Sequence, residues 1–193
     1  MVEFKKAYDF VSKYEGGYSN DSFDRGGETY KGIARKYSKT WAGWLMIDSL
    51  KEDDVFPLNL NNNEVINLLV KKWYRERYWD TLLLDSVVNQ DLANELFDVS
   101  VNMGTYRAAK FLQIALNVLN RNQQNYDDLV EDGEIGYKTI TALKIYLISD
   151  MPYYLIKVIN ILQGNHYIEF MRKSPEQERF ARGWLDRVNF VKN

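Results

Sequence analysis

The chain has no cysteine and a single histidine, His166. Without thiols there is no disulfide framework and no thiolate to act as nucleophile or metal ligand. A Ser-His-Asp centre would have to run through His166, and a zinc site would need carboxylates in place of the usual His and Cys. His166 falls in a helical C-terminal stretch and reads as incidental. Proline is scarce as well, 3 among 193 residues, so little interrupts helical structure. Neither sign of charge dominates: the formal net charge is −2. That argues against a nucleic-acid protein, because phosphate binding needs clustered Lys and Arg in excess. No apolar run approaches the roughly 18 residues of a membrane span. No apolar core of about 7 residues follows Lys5 and Lys6, so no Sec leader is expected.

What remains is a globular composition, 46% hydrophobic and 27% charged, sufficient for one large domain or two small ones. Phe4, Ala7, Tyr8 and Val11 recur at the spacing of a core-facing helical stripe. Residues 35–60 are the least periodic. Asn61 precedes Glu64 by three residues, a capping-box-like start, and Ile66, Leu69, Val70 and Trp73 continue as a stripe. A helix near 90–103 turns Leu92, Leu96, Val99 and Met103 inward. Another follows with Ala108, Phe111, Leu112, Ala115 and Leu119. Residues 120–134 are polar and loop-like, and further helices are expected near 137–149, 152–163 and 164–173. Ser174-Pro175-Glu176-Gln177 marks a last helical segment. The expectation is an all-α, two-lobed helical domain with a small irregular or hairpin segment after the first helix.

That segment is the most informative part of the chain. The first stripe, continued by four residues, lands on Glu15, so a carboxyl group occupies the last turn of an apolar face. Gly16 can take positive φ and close the helix there. Partial burial raises a carboxyl pKa by disfavouring the charged form. Glycoside hydrolysis needs such a group to protonate a leaving oxygen, with a second carboxylate across the bond. Glu15 also fits an ordinary helix end, salt-bridged to Lys13 or Arg25. After it, glycines flank a polar run that reads as a turn or short hairpin and returns at Gly32-Ile33-Ala34. Asp24 and Asp21 are the loop carboxylates available for charge stabilisation or water activation, and Thr29 is placed to hold a water or a sugar hydroxyl.

Glu15-Gly16-Gly17-Tyr18, then Asn20-Asp21, then Asp24-x-Gly26-Gly27-x-Thr29-x-x-Gly32-Ile33 resembles the opening motif of glycoside hydrolase family 108. This is a lysozyme-like family of bacterial and phage N-acetylmuramidases, some described as secretion activators. The Gly-Gly-Glu-Thr-Tyr-Lys-Gly-Ile-Ala wording looks like its Bacteroidetes branch. The step from Glu15 to Asp24 also resembles the Glu/Asp/Thr triad of phage-type lysozymes, with Thr29 one residue short of that pattern. Trp73-Tyr74-Arg75 through Tyr78-Trp79-Asp80 is similar to the family's aromatic helix end, and residues 93–104 to its central helix. Asp132-Gly133-Glu134-Ile135-Gly136-x-x-Thr139 resembles the signature of its C-terminal peptidoglycan-binding region, with Tyr137 where the family usually has Pro. The resemblance implies a catalytic region over 1–104 and a helical C-terminal region over 105–193.

It further implies that Glu15 is the catalytic acid, that Asp24 is the preferred second carboxylate, and that no metal or cofactor is needed. The implied partner is the peptidoglycan glycan strand. Peptidoglycan is anionic, so a near-neutral chain is expected to recognise sugar faces. Tyr18, Tyr30, Trp41, Trp44, Tyr78 and Trp79 lie in or beside the irregular segments and are the aromatics expected at a groove. Trp184 is expected to pack in the core. Asn94 and Asp98, at i and i+4 on one helix, either hold that helix to the catalytic loop or face the groove, with the structural role favoured. A lytic transglycosylase and a non-catalytic wall-binding or secretion-accessory module are the alternatives. A monomer is favoured. The expected setting is synthesis in the cytoplasm and action on the wall after lysis, a holin pore or dedicated export.

Overall fold

The computed structural model describes residues 1–14, 16–21 and 27–188, less the Tyr14 side chain. Among these it contains eight α-helices and one three-stranded sheet. The chain forms two compact units, one of Phe4–Arg77 and one of Met1–Glu3 with Tyr78–Asn193.

The first unit begins with α1 (Phe4–Val11), which buries Ala7, Tyr8 and Val11 of the expected stripe. The α-helix stops at Val11, and Ser12–Tyr14 tighten into a 3₁₀ turn. Such a turn has about 3 residues per turn, so the α-helical period of the stripe ends at Val11. Glu15 itself lies outside the described residues. Gly16 does not take the positive φ expected of it; Gly27 (φ 65°) and Gly32 (φ 75°) do. Strands β1 (Tyr18–Asn20), β2 (Glu28–Tyr30) and β3 (Ile33–Ala34) form an antiparallel sheet in that order. The register pairs Tyr18 with Tyr30, Ser19 with Thr29 and Asn20 with Glu28. Two residues with positive φ, Lys31 (44°) and Gly32 (75°), connect β2 to β3, the conformation that suits a tight hairpin.

The aperiodic stretch contains a helix that the sequence reading missed, α2 (Gly43–Leu50). Leu45 stands exposed beside buried Trp44 and Ile47, so the apolar residues form no single stripe. Gly43 is required where it stands, because a Cβ there would overlap the Trp41 ring. Helix α3 (Glu64–Tyr74) is capped by Asn63, whose Oδ1 accepts from Ile66 N at 3.0 Å. The expected cap, Asn61, instead offers its carbonyl to Asn67 Nδ2 at 3.1 Å. The chain continues through a π-helical turn, Arg75–Trp79.

In the second unit α4 (Gln90–Met103), α5 (Thr105–Val118) and α7 (Pro152–Lys173) pack on one another, with α6 (Tyr137–Ser149) against α5. The expected inward face of α4 is buried. Helices foreseen over 152–163 and 164–173 are one helix; Gly164 sits within it, where an added Cβ would meet the Val188 methyls at 3.5 Å. A final 3₁₀ segment, Pro175–Phe180, leads into α8 (Ala181–Leu185). Trp184 stacks on Tyr167 with centroids 5.2 Å apart, in keeping with a packing role. The polar loop after α5 is held by buried amides. Gln113 Nε2 donates to Asp132 Oδ1 at 2.7 Å and to the Glu134 carbonyl at 2.9 Å, and Gly133 N donates to Gln113 Oε1 at 2.9 Å.

Carboxylates on α4 set the pH response of this unit. Asp98 is 4% exposed and accepts from Arg187 Nη1 at 2.9 Å, which joins the C-terminal segment to α4. Burial pushes the Asp98 pKa up, with Arg187 opposing it. Glu95 Oε1 is sealed from solvent with no hydrogen-bond partner among the described residues. Burial, and then the Asp98 charge, push Glu95 from 4.5 up to about 8. Between those values the unfolded chain has lost a proton that the folded chain keeps. Stability should therefore fall by ~1.4 kcal/mol per pH unit as pH rises, levelling above about 8. Urea unfolding at several pH values should show Glu95→Gln flattening this slope; an unchanged slope would assign it elsewhere. Arg187→Ala, which strands a buried carboxylate, should cost ~3–5 kcal/mol in the same measurement.

Candidate active site

The sheet positions the segment in which the catalytic groups are expected. Glu15 precedes β1 by three residues, and Asp24 falls midway in the connection that the register closes between Asn20 and Glu28. Both lie outside the described residues. Asp21 is exposed where β1 ends, and half-buried Thr29 donates from Oγ1 to the Gly27 carbonyl at 3.4 Å.

One carboxylate that the sequence reading passed over organises this sheet. Glu28 accepts from Tyr18 Oη at 2.9 Å, Arg35 Nη1 at 2.6 Å and Lys51 Nζ at 2.7 Å. Burial would raise its pKa, but the bonds from Lys51, Arg35 and Tyr18 outweigh this and hold it low. Arg35 also forks onto both oxygens of Asp48 on α2 and stacks over the Trp44 ring at 5.1 Å. Hydrogen bonds from Arg35, then Lys51, hold the Asp48 carboxyl well below the usual range. The network therefore couples β1, β2, the turn after β3 and α2. The hint in the sequence was the polar Glu28 inside the quoted motif, but its partners lie at positions that no local period connects.

Described residues of this unit line two clefts. One, of about 290 Å³, is lined by Tyr8 and Ser12 from the α1 segment, Lys31 from the β2–β3 turn, and Asn67, Lys71 and Tyr74 from α3. The other, of about 330 Å³, is lined by Tyr37, Trp41, Lys72, Trp73 and Arg77, among others. Trp41 lines this second cleft. Tyr18 is half-buried, its ring 4.7 Å from Phe56 and its hydroxyl committed to Glu28. Tyr30, Trp44 and Trp79 are corrected: they are 0%, 1% and 0% exposed. An enclosed ring has no face left for a sugar. Their polar tips are satisfied internally, by the Leu60 carbonyl, the Ser38 carbonyl and Asp85 Oδ1.

Tyr78, Asn94 and Asp98 belong to the second unit. Half-buried Tyr78 meets the Phe97 ring edge-on at 6.4 Å. Asn94 Oδ1 accepts from Gln90 Nε2 at 2.8 Å, and Gln90 bonds both the N–H and the carbonyl of Glu3. Gln90, bonded to Asn94, thus ties Glu3 to α4, and Asp98 ties Arg187 to it. Besides Glu28, the reading missed Lys31, Asn67 and Lys71. Lys31 stood inside the quoted motif, and Asn67 and Lys71 are i and i+4 on α3, off its apolar stripe.

Comparison with known proteins gives the class. Residues 8–104 match the family model of Glycosyl hydrolase 108, and the chain belongs to that family. Residues 107–189 match the model described as Predicted Peptidoglycan domain. Together these define a peptidoglycan-related glycoside hydrolase of lysozyme-like helical fold, the fold class expected from the sequence. The solved structure of Brucella abortus SagA is similar in fold, with a TM-score of 0.59 at 23% identity over 96% of this chain and 88% of that one. Among curated proteins none matches.

The Glu28 network carries a prediction. Glu28→Ala removes one of the two carboxylates that Arg35 and Lys51 share, leaving Asp48, and should destabilise the protein by ~1–3 kcal/mol in denaturant unfolding. Lysis should fall further than in the exposed control Glu52→Ala. Equal activity in the two variants would remove Glu28 from any role in shaping the site.

Proposed function

We propose that the protein is an N-acetylmuramidase, cleaving the β-1,4 bond between N-acetylmuramic acid and N-acetylglucosamine. The reading rests chiefly on the family match over residues 8–104, which contains Glu15 and its whole motif segment. Glu15 protonates the glycosidic oxygen. Asp24 stabilises the oxocarbenium-like transition state or positions water, with Thr29 beside it. The catalytic region spans 1–104, and 105–193 engages the wall polymer, a division supported by the peptidoglycan-domain match at 107–189. The protein acts on the cell wall, in lysis or in remodelling for secretion, after release by lysis, a holin or a dedicated exporter. A Bacteroidetes origin has only the wording of residues 26–34 in its support.

A zymogram of renatured protein on cell walls tests the activity. Glu15→Gln keeps shape but cannot deliver a proton, so clearing should drop by about 10²–10⁴-fold with little change in Tm. Retention of a third of the activity would reject Glu15 as the acid. Reducing-end analysis of the products separates hydrolysis from transglycosylation, which would leave anhydro-muramic ends.

A further inference from the structure

A cleft of the first unit holds two cations, Lys31 and Lys71, that no carboxylate among the described residues neutralises. Lys31 Nζ donates to Asn67 Oδ1 at 2.6 Å and lies 5.6 Å from the Tyr30 ring centroid. Lys71 Nζ lies 5.8 Å from the Tyr8 ring centroid. Neither forms an ion pair with a carboxylate among the described residues, whereas Arg35 and Lys51 of the same unit are each bonded to two carboxylates. Burial, and then the Lys71 charge, push the Lys31 ammonium below its usual pKa, so the two like charges sense one another. An ammonium has three donors, and Asn67 takes one of those on Lys31.

The backbone adds a second observation. Lys31 is held at φ 44°, a conformation that Gly or Asn adopts far more readily than Lys. Its carbonyl is clamped by Tyr74 Oη at 3.0 Å. A strained turn, fixed from α3, thus carries a partly desolvated cation to the cleft, and residues held this way cluster at ligand sites. At about 290 Å³ the space suits one acidic substituent better than a long ligand, since pockets for larger molecules begin near that size.

We propose that Lys31 and Lys71, with Asn67 orienting Lys31, form an anion subsite that takes a carboxylate of the peptidoglycan strand. This rests on the reading of peptidoglycan as substrate. Two sources carry that chemistry: the lactyl acid of muramic acid and the carboxylates of the stem peptide. The Tyr8 and Tyr74 rings line the same space, but at 7% and 3% exposed they wall the subsite and leave recognition to the two ammonium groups. The subsite reads the muramyl side of the polymer, which a glycan of N-acetylglucosamine alone lacks.

The test is equilibrium binding by calorimetry in the Glu15→Gln background, where turnover does not interfere. Three soluble tetrasaccharides are compared: neutral chitotetraose, the alternating muramyl glycan with bare lactyl acids, and the same glycan carrying stem peptides. The carboxylated glycans should bind about 10-fold tighter than chitotetraose, a preference that weakens in high salt. Lys31→Gln/Lys71→Gln should abolish it, and Lys71→Gln, an exposed change on α3, should reduce it even if the double variant folds poorly. Whichever carboxylated glycan shows the larger preference identifies the source of the acid. Equal affinity for neutral and carboxylated glycans, no binding of any of them, or a folded double variant that keeps the preference overturns the proposal. Wall lysis is scored separately with unmutated Glu15. Binding with the preference but without lysis sinks the muramidase reading alone, and lysis without the preference sinks the subsite alone.

Discussion

The first unit is organised around a carboxylate gripped by two cations. Glu28 stands opposite Asn20 in the sheet, and its bonds to Arg35 and Lys51 tie β2 to the turn after β3 and, through Asp48, to α2. A single carboxylate thereby sets the register at the mouth of the connection that contains Asp24. Tyr30 anchors the strand from beneath by donating to the Leu60 carbonyl. Interactions of this kind gain strength from partial burial, where fewer waters compete for the carboxylate.

The two units resolve buried charge in opposite ways. In the first, Glu28 and Asp48 are matched by Arg35 and Lys51, and Lys31 and Lys71 face a cleft with no ion pair to a carboxylate among the described residues. In the second, burial and the Asp98 charge raise the Glu95 pKa, while Asp98 keeps an ion pair that ties Arg187 to α4. A net charge of −2 conceals both arrangements. Near-neutral composition suggested recognition by sugar faces, yet the local balance around Lys31 and Lys71 is cationic. Summed charge informs solubility and long-range attraction; a site is decided by which charges share a cavity.

The family boundary and the packing boundary do not coincide. The match to Glycosyl hydrolase 108 ends at residue 104, just after α4, yet α4 packs on α5 and α7 in the second unit. The packing of α4 on α5 and α7 would be lost if the chain were divided there. Function-bearing sequence and cooperative folding need not share borders, because the first follows a motif and the second follows buried area.

Much of the helical framework was legible without coordinates. The stripes of α1, α3 and α4 carry a 3.6-residue period, and Gly104 and Pro152 mark ends that backbone stereochemistry dictates. The Glu15 motif and its family were legible too, since they depend on residue order. Other features were not. Helix α2 has apolar residues on several faces, so only its packing against α3 and the Leu58–Leu60 turn shows which side is inward. Tyr30, Trp44 and Trp79 were placed at a groove because irregular chain surrounds them, and the structure buries them because their polar tips find carbonyls and Asp85 inside. The sequence by itself determined the helical class, the family and the identity of the proposed acid, all properties of local period and motif. Tertiary structure alone decided that Glu28 joins Arg35 and Lys51, and that Lys31 meets Asn67 and Lys71, because a charge's role depends on neighbours that chain folding, and not chain order, brings within reach.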